Sequence, residues 1–203
     1  MTESNLIYLL FLLTIARLVI FLRPRTLARL TAQKLKEVID SVVWAGVVAL
    51  FLIHFVVRSF YIPSGSMLPT LQINDFILVN ELIYDISKPV RGDIVVFRSP
   101  EEENAEETDL IKRDVAVEHD TVELRDGRLY LNEQPIQEKY LLEPMEGEFG
   151  PERIKKGHIF VMGDNRNDSR DSRYIGQIPL KKLVGRAEIV FFPPQRVRLF
   201  NLR

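Results

Sequence analysis

Apolar and polar positions divide this chain into two unlike parts. Residues 6–22 are almost unbroken hydrophobic sequence, interrupted in charge by Arg17. Residues 41–57 are apolar again and contain no Asp, Glu, Lys or Arg. Each run approaches the roughly 20 apolar residues that a membrane-spanning helix needs. One or two N-terminal transmembrane helices are therefore expected. The segment between them, 23–40, carries Arg23, Arg25, Arg29, Lys34 and Lys36 against Glu37 and Asp40. Basic segments of this kind stay in the cytoplasm, which puts whatever follows the second helix on the outer side of the membrane. A cleaved signal peptide is a poorer reading of the first run. Met1 to Asn5 supplies no Lys or Arg for a positive n-region, and no small-x-small site follows Leu22.

Past Pro63 the pattern changes to short alternating or β-branched runs. Phe76–Asn80, Asp93–Phe97, Leu110–Val117, Thr121–Leu124, Arg128–Leu131, His158–Met162 and Ala187–Phe192 all read as strands. Asp126-Gly127 between two of them is a hairpin turn signal. The acidic stretch Arg98–Thr108 reads as a solvated loop joining two strands, and Tyr140–Lys156, with its Gly and Pro, as an irregular excursion. No segment after Arg58 keeps a helical period. The expected architecture is a membrane anchor over 1–60 followed by a mainly β domain over 61–203. That domain is an antiparallel β-barrel or sandwich-like body.

Composition removes several function classes. A net charge of −1 over 203 residues gives no reason to expect nucleic acid as a partner. The absence of cysteine excludes a disulfide framework, a zinc-thiolate site and a cysteine nucleophile. His54, His119 and His158 stand in unlike contexts, a poor basis for a metal site, and no cofactor is expected.

The chemistry that remains centres on a serine and a lysine. Ser66 lies in Ser64-Gly65-Ser66-Met67-Leu68-Pro69-Thr70-Leu71, where Gly65 removes bulk beside it so that a substrate carbonyl can approach. Its backbone N–H and the Ser64 hydroxyl are candidate oxyanion donors. Lys112 lies in Asp109-Leu110-Ile111-Lys112-Arg113. On an alternating strand it shares a face with Leu110, while Ile111 and Arg113 take the other. Either it faces water, as strand lysines ordinarily do, or it faces inward, where desolvation lowers its pKa and makes it a base. A third stretch, Gly163-Asp164-Asn165-Arg166 through Asp171-Ser172-Arg173-Tyr174-Ile175-Gly176, is dense in hydrogen-bonding side chains. It is either a solvated loop or a polar network behind the lysine.

With Arg91-Gly92-Asp93-Ile94-Val95-Val96-Phe97, these stretches make four motifs that resemble, in order, those of the type I signal peptidases. The resemblance covers about Ile62 to Phe192. It implies a membrane-anchored serine endopeptidase that cuts signal peptides from exported preproteins after Ala-x-Ala-like sites. Ser66 would be the nucleophile and Lys112 the general base. Ser64 would complete the oxyanion hole, Ser169 would orient Lys112, and Asp171 and Arg173 would form a supporting ion pair. Ile62, Leu71, Leu110 and Ile111 would line pockets for small residues. The partners implied are secretory preproteins and the lipid bilayer. A monomer is expected, placed in a bacterial inner (plasma) membrane with the catalytic domain on the outer side. The chain departs from the family at Asp114–Asp120. The family's Gly-Leu-Pro-Gly-Asp-like turn is replaced there by residues that include neither glycine nor proline. Two other readings are an impaired, membrane-tethered binding module of the same fold and a Ser/Lys self-cleaving regulator. The regulator would carry a DNA-binding helical module where this chain has its apolar anchor.

Overall fold

The computed structural model describes residues 12–16, 18, 29–55, 57–99 and 109–200. The chain divides into two compact units, Met1–Val56 and Val57–Arg203. Most of the expected span 6–22, the basic residues Arg23 and Arg25 and residues 100–108 of the acidic stretch lie outside the described residues.

The first unit is dominated by helix α1, Arg29–Phe55. Lys34 and Lys36 of the basic segment therefore lie on this helix. Val38, Val42, Trp44, Val47 and Val48 are exposed on it. Among the described residues no helix is long and apolar enough to cross a membrane. The span expected at 41–57 runs into side chains 51–57, which are outside the described residues.

The second unit is built of antiparallel strands. Its larger sheet runs β1 (Val57–Tyr61), β2 (Phe76–Asn80), β11 (Leu183–Phe192), β3 (Ile94–Arg98), β4 (Asp109–Ala116), β9 (His158–Met162) and β10 (Ile178–Pro179), with β12 (Arg198–Leu199) paired to β11. The smaller sheet runs β7 (Gln134–Pro135), β6 (Arg128–Leu131), β5 (Thr121–Arg125) and β8 (Phe149–Arg153). The period of two along β3 shows why the larger sheet is buried on both faces. Ile94 and Val96 enter one apolar cluster with Ile62, Leu71 and Ile77, while Val95 and Phe97 enter another with Ile159 and Ile178. On β4 the same alternation sends Ile111 to the first cluster and Leu110 to the second.

The Asp126-Gly127 signal is borne out. Both residues take positive φ, 50° and 72°, as a primed hairpin turn requires. The irregular reading of Tyr140–Lys156 needs correction, because β8 lies within it and pairs with β5. Gly150 and Pro151 hid that strand. Proline is tolerated on an edge strand such as this one. Gly150, at φ 82°, sits where the register slips between Val122 and Leu124.

The unusual turn after Lys112 keeps the shape that a glycine would give it. His119 adopts φ 76°, a left-handed conformation that costs most residues about 1 kcal/mol or more. Its N–H still reaches Ile154 O at 3.0 Å. Asp120 closes the turn by accepting from Val117 N (3.0 Å), Asn132 Nδ2 (3.0 Å) and the Arg91 guanidinium. The His119 side chain is exposed, so replacing it forfeits little packing. His119→Gly is expected to raise stability by about 1 kcal/mol, or about 3 °C in Tm, in a thermal melt. An unchanged or lower Tm would show that the histidine is not strained.

Candidate active site

The nucleophile box is a tight loop between β1 and β2. Leu68 N donates to Gly65 O at 3.0 Å and Leu71 N to Met67 O at 2.8 Å. Met67 and Leu71 plug this loop into the apolar cluster below. Ser66 remains half-buried and Ser64 exposed, with their Oγ atoms 3.5 Å apart.

Lys112 comes from the middle of β4 and is 4% exposed, so it faces inward. Its Nζ donates to Ser66 Oγ at 2.8 Å and to Ile111 O at 2.9 Å. Burial drives its pKa down, the charges of Asp171 and Asp164 push back, and the result is about 8 against an ordinary 10.5. When the amine is neutral, the same contact reverses and the serine O–H donates to the nitrogen lone pair. That is the arrangement of a weak nucleophile beside its base.

The polar box after β9 is a bracket rather than a solvated loop. Asn165 N donates to Ser66 O at 3.0 Å, and Asn165 Nδ2 to Gly65 O at 3.1 Å. Gly163 lies so close to Ser66 O and to Ser169 Oγ that a Cβ there would overlap both. Asp171 accepts from Gly163 N at 3.0 Å and from Arg173 Nε and Nη2, both at 2.9 Å, so the expected ion pair is present. Ser172, 1% exposed, accepts from Val161 N at 2.9 Å and fastens the box to β9.

Arg113 ties the four motifs together. Its fork donates to Asp164 Oδ1 (2.8 Å) and Oδ2 (2.6 Å), a bidentate pair whose carboxylate is fully buried. It also donates to Gly92 O (2.9 Å) and lies over the Tyr140 ring, 4.0 Å from its centroid. The Asp164 carboxylate beside it holds the guanidinium pKa above its ordinary value against the cost of burial. Next along β4, Asp114 is wholly buried, and among the described residues its carboxyl oxygens meet no hydrogen-bond partner of normal geometry. Burial first, and then the charge of Asp93, pushes its pKa well above the usual carboxylate range.

The structure thus brings Ser64, Ser66, Lys112, Asp171 and Arg173 into one network, but three expected positions differ. Ser169 Oγ is buried beside Gly163 with no hydrogen-bond partner among the described residues, so the expected bond to Lys112 is not formed. Nζ turns instead to Ser66 and Ile111. Ile62 (2% exposed) and Leu71 (0%) belong to the core and present almost no surface to a substrate. Leu110 and Ile111 keep partial exposure. Gly163, Asp164 and Asn165 carry roles that the sequence did not assign. The available signal was the density of polar residues after an apolar strand. Two concavities, one along Thr70, Arg186 and Arg198 and one along Gly127, Leu141 and Met145, include neither Ser66 nor Lys112 in their walls.

A family model described as signal peptidase, peptidase S26, matches residues 35–192. A protein of Synechocystis named probable signal peptidase I-1 is 43% identical over 168 residues, covering 81% of this chain and 86% of its own length. Signal peptidase I of Leptolyngbya laminosa is 38% identical over 167 residues, 80% of this chain and 82% of its own. Thylakoidal processing peptidase 1 of Arabidopsis thaliana is 42% identical over 143 residues, 67% of this chain and 42% of its own. The matched residues include the serine loop, the lysine strand and the polar bracket that joins them, and on that likeness the chain belongs to the signal peptidase family, peptidase S26.

Proposed function

We propose that this chain removes signal peptides from exported preproteins with Ser66 as nucleophile and Lys112 as general base. Membership of the family makes it a serine endopeptidase of the signal peptidase I kind. What supports the residue assignment is a buried lysine 2.8 Å from a serine hydroxyl, with its pKa lowered to about 8.

Neutral Lys112 takes the Ser66 Oγ proton as Oγ attacks the scissile carbonyl. The oxyanion is held by the Ser66 N–H and the Ser64 hydroxyl. The Lys112 ammonium then protonates the departing amine, and the ester remains on Ser66. A water gives its proton to Lys112 and attacks the ester, and Lys112 returns that proton to Ser66 Oγ as the ester C–O bond breaks and the signal peptide leaves. Asp171 and Arg173 position the Gly163 turn that shapes the site. Leu110 and Ile111 offer apolar surface for the small residues before the cut, and Ile62 and Leu71 back that surface from the core. Pockets closed by branched side chains reject larger residues by size, a discrimination of a few kcal/mol at most.

The membrane belongs to the same reading. Residues before β1 anchor the chain, the expected boundary near 60 moving back because Val57–Tyr61 pairs with β2. The basic segment 23–40 stays in the cytoplasm, and the β domain works as a monomer on the outer face of a bacterial plasma membrane. Exposed Tyr61 and Phe192, packed around Phe76, suit the lipid interface. Met67, near Tyr61 in sequence, does not join them, because it is buried.

The test is a preprotein with an Ala-x-Ala site, incubated with the full chain in detergent. Ser66→Ala is expected to lower cleavage by on the order of 10⁴-fold or more while the melting curve is kept. Undiminished cleavage by Ser66→Ala would refute the assignment. No cleavage by the unmutated chain would favour the impaired binding module.

A further inference from the structure

A cleft of about 180 Å³ opens beside the catalytic strands, lined by Arg113, Arg186 and Arg198 with Asp93, Leu199 and Phe200. At about 30 Å³ per water, this is room for a tetrahedral oxyanion. The cations of the region are not alike. Arg113 is committed to Asp164. Arg186 donates to Glu188 at 2.9 and 2.8 Å and lies 3.8 Å from Asp93. Neighbouring Arg196 is forked onto Asp75 at 2.7 and 2.8 Å. Among the described residues no carboxylate pairs with Arg198, whose guanidinium lies over the Phe200 ring, 5.5 Å from its centroid.

Partial desolvation first, then the charges of Arg196 and Arg113, holds the pKa of the surface-exposed Arg198 below the ordinary arginine value, against the pull of Asp75. The guanidinium stays charged even so. A charged fork among like charges is a ready site for an anion. Asp93, the carboxylate in the wall, is occupied by Arg186 and by donors from Val90 N and Tyr84 Oη. The rim beside Arg198 is apolar. Val197 and Leu199 are more than half exposed. β11, which pairs with Leu199 through Ile189, ends in exposed Phe191 and Phe192.

We propose that this cleft binds the phosphate of an anionic phospholipid headgroup, with Arg198 as its counter-ion and Val197 and Leu199 against the acyl chains. The inference rests on the membrane-anchored reading above. It extends that reading from an apolar contact to a headgroup-specific one. The choline of a zwitterionic lipid would bring a further cation among the arginines, so anionic headgroups are preferred.

The test uses the full chain in a neutral detergent and equilibrium dialysis against dihexanoyl phosphatidylglycerol. Partition into micelles is common to all variants and is subtracted. Saturable binding is expected, weakened about tenfold or more in Arg198→Gln and partly kept in Arg198→Lys. Dihexanoyl phosphatidylcholine and inorganic phosphate are expected to compete poorly. Equal binding by Arg198→Gln, or equal competition by the phosphatidylcholine, would overturn the proposal. Full displacement by inorganic phosphate at matched concentration would also overturn it, by making the cleft a free-phosphate site. Cleavage of the preprotein, measured in parallel, stays at the unmutated rate in Arg198→Gln. A failed lipid test with intact cleavage therefore removes this inference and leaves the peptidase reading standing.

Discussion

Lys112→Ala is expected to lower kcat for preprotein cleavage by on the order of 10⁴-fold, the upper range for loss of a general base. Lys112→Arg should be as poor. An arginine keeps the positive charge near Asp171 and Asp164 but does not give up its proton, so it cannot accept one from Ser66. That pair of variants separates a base from a structural cation, because a structural cation would be partly restored by arginine. The pH profile carries the same sign. The active form is the neutral amine, so with a Lys112 pKa of about 8 the rate should climb through pH 8 and fall about tenfold per pH unit below it. A profile flat from pH 9 to pH 5 would sink the assignment.

The same lysine leaves a mark on stability. Its folded pKa, about 8, lies below the ordinary 10.5 of the unfolded chain, so between those values the unfolded state binds more protons and stability rises with pH. Below pH 8 the native state bears the full cost of a buried ammonium, up to about 3 kcal/mol at about 1.4 kcal/mol per pH unit. Lys112→Met, similar in volume and uncharged, should therefore melt higher than the unmutated chain at pH 7. The gap should close as pH rises past 10. The group that lets the enzyme act costs it stability at neutral pH, as functional sites often do.

The residues that carry motifs were the most legible in the sequence, and contacts between motifs the least. Ser66 and Lys112 stood out once their boxes appeared in order, and the strand through Lys112 could be drawn from its apolar neighbours. Whether Lys112 faced water or the interior could not be drawn. Orientation was fixed by β3 and β9 on either side and by a bracket that starts about fifty residues later. Ile62 and Leu71 were expected at the substrate surface on the family resemblance alone. They prove to be the pegs that hold that loop in the core. The turn at Asp114–Asp120 looked most foreign in sequence. It is conventional in shape, since His119 takes the left-handed conformation without a glycine. β8 was hidden because Gly150 and Pro151 read locally as punctuation, while pairing with β5 across the chain makes them an edge strand.

Gly163 is the position where that gap between motif and contact has the largest consequence. It reads as an ordinary glycine at the end of a strand, and no positive φ demands it. Its necessity is steric. A Cβ there would overlap the Ser66 carbonyl oxygen and the Ser169 side chain. Gly163 N is also held by Asp171, so the glycine cannot retreat freely. In Gly163→Ala either the bracket or the serine loop must move, and overpacking of this kind costs about 1–3 kcal/mol. Since Asn165 holds Ser66 O at 3.0 Å, any shift of the bracket is passed on to the nucleophile. A displacement of about 1 Å at reacting atoms costs about 100-fold in rate, so kcat should fall at least that far while the protein still melts cooperatively. Adding Ser169→Gly removes the Ser169 contacts but leaves the Ser66 carbonyl, so the double variant should recover stability more than rate. Activity of Gly163→Ala equal to the unmutated chain would show that the bracket does not set the position of Ser66.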